Sequence, residues 1–380
     1  MRILLTSHVY ALPDLQARLE ALAFLPEVDL TVVAPARWPE ARLNVPKTIE
    51  SPPGFRLIRL PVALARRNNA FFYLANLRRV LRDLRPDILH IEQEPCSTVT
   101  AQWLWAAGSG PRKIVFTWEN VEQHWRPPQR WWEQMALARA DAFIAGSGGA
   151  LELLRAKGWR GPIYLLPVVG VEAGAARFSP TRAELKLDEM FVVGYVGRLV
   201  HEKGIDVLIS ACETLPAARL LLMGSGPWPD RLPHRPHVIH RPAIAHAEVP
   251  TYLRAMDVLV LPSRTTRRWK EQFGRVLIEA MACGVPVVGS DSGAIPETIG
   301  DVGLIFPEGD AQALSECLSR LQANPALRLE LVRRGRKRAT EFTHRRIAER
   351  TVEVYTSVSQ SLRCAAGRRL RPTRLRPPPG

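Results

Sequence analysis

The segment 197–204 holds two cations, Arg198 and Lys203, separated by four residues. It follows an apolar run at 191–196 that reads as a strand, and Gly197 permits the tight turn after it. Arginine offers a planar fork of donors and lysine a point charge, a pairing suited to a diphosphate. The alternative is an ordinary solvated loop between a strand and a helix.

A second group of polar residues lies in the segment 271–284, which reads EQFGRVLIEAMACG. Gly274 lies where a helix is predicted to begin, so the free N–H groups of residues 274–276 could hold a phosphate. Glu271 precedes this helix, and Glu279 lies inside it among apolar residues. Carboxylates accept hydrogen bonds from sugar hydroxyls, and a buried glutamate needs a partner. A salt bridge on the helix surface is the alternative for Glu279.

The third segment, SDSGAIPET at 290–298, follows a predicted strand. Its small residues would let a ligand approach the backbone, and Glu297 is expected to cap or orient the loop. Taken by itself, the segment is typical of a turn and a helix cap.

These segments need a scaffold, and short apolar runs alternating with helical stretches predict parallel sheets covered on both faces. In the first half, strands are predicted at 2–6, 29–34, 55–60, 87–91, 113–117, 141–145 and 162–166, with a helix at 14–25. In the second half they are predicted at 191–196, 218–223, 237–240, 257–261, 285–289 and 303–306, with helices at 203–214, 247–255 and 274–283 and a helical region at 310–360. The expected fold class is α/β, with two Rossmann-like domains facing a central cleft.

The predicted division of the chain follows these elements. It comprises a first domain at 1–166, a linker at 167–190, a second domain at 191–344, a final helix at 345–362 and a tail at 363–380. The tail carries six arginines and no acid, so it is expected to be disordered.

Composition limits the functional class. The chain has 380 residues and a net charge of +15, which suits about two globular domains and partners that carry negative charge. No apolar run approaches the roughly 18 residues of a membrane span, and residues 1–7 read as a strand rather than a signal peptide. The five scattered cysteines favour a reducing cytoplasm over a disulfide framework or a zinc site.

Together, the three segments resemble the retaining glycosyltransferases of family 4. The resemblance rests on G-R-x-x-x-x-K-G at 197–204, on E-x-F-G-x-x-x-x-E-A-M-A-x-G-x-P-V at 271–287, and on Ser290, Gly293 and Glu297. It is strong over roughly residues 191–310, while the first half matches mainly in the order of its strands. It implies a GT-B fold and transfer of a sugar from a nucleotide-diphosphate donor, with retention and without a metal. It also implies that the last helix crosses back onto the first domain.

The resemblance also implies roles for individual residues. Arg198 and Lys203 would bind the donor diphosphate and stabilise it as it leaves. Glu271 would contact hydroxyls of the donor sugar, and Glu279 the ribose. The backbone of the donor pocket would come from Gly197, Phe273, Gly274 and Arg275.

The first half departs from the family pattern in two loops. The loop at 7–14, SHVYALPD, lacks the glycine pair that members often carry after the first strand. Thr117-Trp118-Glu119-Asn120 occupies the place of a frequent His-Asp pair. Glu119 is therefore the predicted catalytic contribution of this domain, with Asn120 beside it. Three further candidates are expected to be structural histidines: His8, His90 and His124.

Two other features of the first half suggest binding surfaces. Six tryptophans lie between 103 and 132; they suit either an acceptor groove or the core. The basic, amphipathic stretch 66–85 suits either an anionic membrane surface or a solvated arginine face packed on the sheet.

The sequence therefore predicts a cytoplasmic, peripheral-membrane glycosyltransferase. Its expected partners are a nucleotide sugar, a glycan or lipid-linked acceptor and an anionic membrane surface; no metal, other cofactor or nucleic acid is expected. Two alternatives stay open at this point: a nucleotide-sugar epimerase of the same fold, and a non-enzymatic basic protein that binds nucleic acid.

Overall fold

The structure is a computed structural model, and only part of the chain is described. The described residues are 1–12, 15–38, 54–172, 182, 187, 190–215, 217–227 and 237–368, with the backbone alone for 361–368. Most of the predicted linker and residues 369–380 of the predicted tail lie outside them.

The first half of the chain forms a seven-stranded parallel sheet in the order β3-β2-β1-β6-β7-β8-β9. A short antiparallel hairpin, β4–β5, accompanies it and was not predicted. The strands are β1 (Arg2–Thr6), β2 (Asp29–Pro35), β3 (Arg56–Leu60), β4 (Val62–Ala63), β5 (Phe72–Tyr73), β6 (Ile88–Ile91), β7 (Arg112–Thr117), β8 (Ala142–Ala145) and β9 (Ile163–Leu165).

Five helices connect these strands: α1 (Ala17–Ala23), α2 (Leu77–Leu84), α3 (Thr98–Ala107), α4 (Gln129–Arg139) and α5 (Gly148–Ala156). Side-chain oxygens of Asn76, Ser97 and Ser147 cap the N-termini of α2, α3 and α5. Each oxygen accepts a hydrogen bond from the backbone N–H three residues later in the chain. The basic stretch 66–85 is helical only in α2; its earlier part forms turns and β5. The two alternatives for this stretch therefore concern mainly α2 and the turns before it.

The second half forms a six-stranded parallel sheet in the order β12-β11-β10-β13-β14-β15. Its strands are β10 (Phe191–Val196), β11 (Ala218–Met223), β12 (Val238–Arg241), β13 (Val258–Leu261), β14 (Val287–Ser290) and β15 (Leu304–Phe306). Its helices are α6 (Ile205–Glu213), α7 (Val249–Leu253), α8 (Arg275–Cys283), α9 (Ile295–Ile299), α10 (Ala311–Ala323) and α11 (Pro325–Ala339). Every strand predicted for the two sheets is present.

The last helix, α12 (His344–Arg368), returns to the first half and packs against α1. It contributes Ile347, Ala348, Tyr355 and other residues to a core shared with β1, β2 and β6. We call the β1–β9 sheet with its helices and α12 the first lobe, and the β10–β15 sheet with α6–α11 the second lobe. The helix extends six residues beyond the predicted end at 362, so the segment 363–368 is helical rather than part of a tail.

The carboxyl ends of both sheets face one another. Trp118, just after β7, lies 6.0 Å from Phe273, just before α8, measured between ring centroids. Phe273 in turn packs on Phe342, near the start of α12. An aromatic contact therefore joins the lobes at the base of a cleft, where ligands of parallel sheets bind.

Candidate active site

The two main motifs of the second lobe meet in one ion pair. Lys203 follows β10, and its Nζ lies 2.5 Å from Oε2 of Glu271, which follows β13. The hydroxyl of Ser263 donates to the same carboxylate oxygen at 2.8 Å, and Lys203 Nζ lies 4.7 Å from the centre of the Trp269 ring. Both charged side chains are almost entirely buried, so their geometry is fixed by the fold.

The turn that carries Arg198 is held by the strand before it. The hydroxyl of Tyr195 donates to the carbonyl of Arg198 at 2.7 Å, while the Gly197 N–H donates to Met223 of the neighbouring strand. Burial and the charge of Glu271 raise the pKa of Tyr195, so its hydroxyl keeps the proton that it donates. The Arg198 side chain is 63% exposed and 3.5 Å from Glu202, so its guanidinium is accessible to a ligand.

Gly274 begins helix α8 in a conformation that favours glycine. Its φ is +79°, and a Cβ there would lie 2.9 Å from side-chain atoms of both Leu261 and Leu277. No side-chain oxygen caps this helix. The first N–H groups of a helix lack intrahelical partners, so this terminus can accept an anion such as phosphate.

Glu279, one turn into α8, is paired with two basic side chains. Its Oε1 lies 2.6 Å from Arg275 Nε and 3.5 Å from His246 Nε2, and Arg275 also contacts His246. The alternative of a salt bridge on the helix is therefore realised. Any role of Glu279 toward a ribose requires it to share its carboxylate with Arg275.

The segment 290–297 contacts the backbone of Glu271 from within the second lobe. Ala294 N–H donates to the Glu271 carbonyl at 2.9 Å. A Cβ on Gly293, whose φ is +58°, would lie 2.2 Å from that same carbonyl oxygen. Glu297 reaches the first lobe, where its Oε2 accepts from the Gly148 N–H at the start of α5 at 2.8 Å.

The structure does not place Glu119 toward the cleft centre. Its Oε2 lies 2.6 Å from Lys157 Nζ, and its Oε1 accepts from Trp125 Nε1 at 3.1 Å. Lys157 also pairs with Glu133, so Glu119 belongs to a buried network of the first lobe. Burial raises the pKa of Glu119 although Lys157 opposes this. Both carboxylate oxygens of Glu119 therefore already have partners, and its catalytic role stays a prediction.

The neighbouring Asn120 does reach across the cleft. Its Nδ2 donates to the carbonyl oxygen of Glu271 at 3.0 Å, and Gln272 Nε2 donates back to the carbonyl of Trp118 at 3.2 Å. The segment that replaces the His-Asp pair thus contacts the backbone of the second-lobe motif.

The loop after β1 is closed by buried charges that the sequence analysis missed. Tyr10 donates to the Glu92 carboxylate, and Arg18 contacts both Tyr10 and Glu92. Burial acts to lower the pKa of Arg18, but the Glu92 charge raises it above its usual value, so the guanidinium stays charged. The missed signal is an arginine on the apolar face of α1, where it lies between Leu15, Leu19 and Leu22.

The candidate histidines have different surroundings. His90 is fully buried, and its Nδ1 lies 2.8 Å from the Tyr355 hydroxyl of α12. His8 contacts Gln93 and the ring of Trp38. Burial lowers the pKa of each to about 4, so both are neutral at pH 7. His124 is exposed.

The six tryptophans do not form one groove. Trp103 is fully buried in the core, while Trp105 and Trp131 are each 58% exposed. Trp118 lies at the cleft, and Trp125 binds Glu119. The core alternative holds for Trp103.

Each half of the chain matches the model of a known protein family. Residues 179–338 match the family description "Glycosyl transferases group 1", and residues 21–168 match "Glycosyltransferase Family 4". The chain belongs to glycosyltransferase family 4. The resemblance read from the motifs at 197–204 and 271–287 is thereby confirmed.

One relative of this family-4 glycosyltransferase is aligned over most of both chains. It is the GDP-mannose-dependent alpha-(1-6)-phosphatidylinositol monomannoside mannosyltransferase of Mycolicibacterium smegmatis, 29% identical over 78% of this chain and 82% of its own length. Several other relatives are aligned over only about a third to a half of their length.

Two solved structures show the same fold. Sucrose-phosphate synthase from Thermosynechococcus elongatus superimposes with a TM-score of 0.72 at 24% identity, over 95% of this chain and all of that one. Anabaena HepE in complex with UDP and glucose gives 0.68 at 20% identity, over 94% of this chain and all of that one. The fold is GT-B, and the protein is a glycosyltransferase that uses a nucleotide-sugar donor; the epimerase and nucleic-acid alternatives are not favoured. Among the described residues, no helix has the length and apolarity to cross a bilayer.

Proposed function

We propose that this enzyme transfers a sugar, with retention and without a metal, onto a glycan or lipid-linked acceptor, with Arg198, Lys203 and Glu271 at its donor site. The observation that carries this is the 2.5 Å contact between Lys203 and Glu271. It brings together a cation suited to the diphosphate and a carboxylate suited to sugar hydroxyls, from motifs 68 residues apart.

The leaving diphosphate needs positive charge, and the site supplies it from three sources. Arg198 is exposed and can turn toward the diphosphate, Lys203 belongs to the same motif, and helix α8 begins at Gly274 without a side-chain cap. Donors placed where charge develops lower the barrier most in a site shielded from water. These groups offset the leaving charge in the way a metal ion would otherwise do.

Glu271 holds the sugar side of the donor in this proposal. Its Oε2 is occupied by Lys203 and Ser263, which leaves its other carboxylate oxygen for a sugar hydroxyl. The contact with Lys203 holds the Glu271 carboxylate in place. Phe273 and Gly274 supply backbone next to it, and Glu279, if it shares its carboxylate with Arg275, contacts the ribose.

The first lobe is proposed to present the acceptor at an anionic membrane surface. Trp105 of α3 is largely exposed, and the Arg78 guanidinium of α2 lies 4.0 Å from its ring centre. Leu74, just before α2, is 59% exposed. Aromatic and arginine side chains of this kind favour the headgroup region of an anionic bilayer. The phosphatidylinositol-linked substrate named for the mycobacterial relative supports a lipid-linked acceptor.

The donor site is tested by adding GDP-mannose, UDP-glucose, ADP-glucose and dTDP-glucose to the purified chain in EDTA, with melting temperature and nucleotide release as readouts. One nucleotide class should stabilise the wild type and be released slowly. Lys203→Met and Glu271→Gln should weaken both effects, whereas Lys337→Met, on the surface of α11, should not. Failure of every donor to stabilise the wild type contradicts the proposed site.

The membrane surface is tested by sedimentation with vesicles of phosphatidylglycerol and phosphatidylcholine, compared with phosphatidylcholine alone. Binding should require the anionic lipid, weaken with salt and fall in Arg78→Glu and Trp105→Ala. Equal binding of these variants and the wild type contradicts this surface.

A further inference from the structure

The loop that carries Glu271 receives contacts from both lobes. Within the second lobe, Ala294 N–H donates to the Glu271 carbonyl oxygen at 2.9 Å. From the first lobe, Asn120 Nδ2 donates to that same oxygen at 3.0 Å. A carbonyl oxygen has two lone pairs, so one atom of the proposed donor-site residue is fixed from both sides of the cleft.

A reciprocal contact joins the residue after Glu271 to the residue two positions before Asn120. Gln272 Nε2 donates to the carbonyl of Trp118 at 3.2 Å, and the Trp118 ring packs beside Phe273. Trp118 is itself held against Gly146, where a Cβ would overlap its ring at 2.2 Å. The segments 118–120 and 271–273 therefore contact each other through two hydrogen bonds and an aromatic pair. We call these contacts the interlobe clasp.

The clasp acts on a residue whose side chain is already tightly placed. Glu271 is 7% exposed, and its carboxylate is held by Lys203 and Ser263. A shift of its backbone would move the carboxylate relative to Lys203. Misplacement of a catalytic group by about 1 Å can cost two orders of magnitude in rate.

We infer that Asn120 is a positioning residue for Glu271: it donates across the cleft to the Glu271 backbone, so the donor site is complete only when the two lobes are in contact. This inference rests on the proposed role of Glu271. Asn120 touches neither the diphosphate cations nor the ribose carboxylate; it acts through the loop. Opening the lobes breaks both hydrogen bonds of the clasp and frees the Glu271 loop to move.

A matched control exists in the same loop of the first lobe. Gln123 Nε2 donates across the cleft to the carbonyl of Arg268 at 3.3 Å. This is also a hydrogen bond from a side-chain amide to a backbone carbonyl, but it does not involve residues 271–273. Gln123→Ala thus removes one interlobe bond without loosening Glu271.

The experiment measures donor turnover and the Kd of the free nucleoside diphosphate, using the donor that the wild type accepts. Asn120→Ala should lower kcat about tenfold, the equivalent of one hydrogen bond. The Kd of the nucleoside diphosphate should stay within about twofold, because its contacts lie in the second lobe. Gln272→Ala should act in the same direction, and Gln123→Ala should leave both quantities within about twofold. Asn120→Asp keeps the shape of the side chain but removes the N–H group that donates the hydrogen bond. It replaces Asn120→Ala if the alanine variant does not fold.

A double-mutant cycle with Glu271→Gln separates positioning from a general structural role. If Asn120 acts through the Glu271 carboxylate, Asn120→Ala should add little to the loss in Glu271→Gln. Full additivity, or wild-type kcat in Asn120→Ala and Asn120→Asp, overturns the inference while wild-type turnover stands. No turnover by the wild type with any donor refutes the proposed function instead, and with it the role inferred for Asn120.

Discussion

Each lobe begins with a parallel strand followed by a turn at the cleft, and the two turns differ in chemistry. After β1, Tyr10 turns inward and joins Arg18 and Glu92 in a buried cluster. After β10, Gly197 adds no side chain to the turn, and the Arg198 side chain is 63% exposed to solvent. The same topological position thus anchors the first lobe and, in the second, exposes the cation that we propose binds the donor.

The difference teaches where a ligand site can be recognised. Charges that serve folding are paired and buried, and their loss leaves an uncompensated charge in a low dielectric. Charges that serve binding keep an accessible face or pair with a group that also contacts the ligand. Removing the first kind should therefore lower stability, and removing the second kind should lower turnover.

The largest effect is expected from Glu92→Ala, which leaves the Arg18 guanidinium buried without its counter-charge. Breaking a buried ion pair from one side costs about 3–5 kcal/mol of unfolding free energy. Urea unfolding followed by circular dichroism measures it. Glu27→Ala, an exposed acid next to α1, is the control and should change little. A loss below about 1 kcal/mol would refute the distinction between the lobes.

Arg198→Met should show the opposite profile. Loss of one preorganised donor to a developing negative charge typically lowers turnover by about 10²- to 10³-fold. The midpoint of urea unfolding should change far less than in Glu92→Ala, because the Arg198 side chain is 63% exposed. Steady-state kinetics with the accepted donor measures the effect, and a purely structural Arg198 would instead lower both together.

Glu94, two residues beyond Glu92, adds a pH dependence to the first lobe. Burial raises the pKa of its carboxyl from 4.5 to about 7, although the Thr117 hydroxyl donates to it. The pKa of the Glu94 carboxyl is higher in the folded protein than in the unfolded chain. Its contribution to the free energy of unfolding is therefore full below about pH 4.5 and is lost as the pH rises to about 7. At about 1.4 kcal/mol per pKa unit, the change is about 3 kcal/mol.

Glu94→Gln should remove this contribution. The measurement is the difference in unfolding free energy between wild type and variant from pH 4.5 to 8, since His8, His90 and His344 act in the opposite direction in both proteins. A difference that stays constant with pH would show that Glu94 does not titrate in this range.

The smallest effect is expected from Tyr355→Phe, which removes the hydroxyl 2.8 Å from His90 Nδ1. One buried hydrogen bond is worth about 1 kcal/mol. Tyr164→Phe removes an exposed bond to Ser357 of the same helix and should cost less. Equal losses in urea unfolding would mean that burial of the contact is unimportant.

The sequence predicted the scaffold well because apolar runs and turn residues are local signals. It also predicted the second-lobe motifs, since spacing within 197–204 and 271–279 reflects one turn and one helix. It could not predict that Lys203 pairs with Glu271, because that contact depends on how β10 and β13 lie in the sheet. Nor could it predict the partner of Glu119, because Lys157 lies 38 residues away and has no sequence signal.

The return of α12 to the first lobe has a consequence for biosynthesis. Tyr355 and its neighbours complete a core whose other members, such as Ile3 and Leu19, leave the ribosome long before them. Part of the apolar surface of the nascent first lobe therefore stays uncovered until the whole second lobe and then α12 have been translated. We expect this interval to make the first lobe the natural client of chaperones that bind emerging chains.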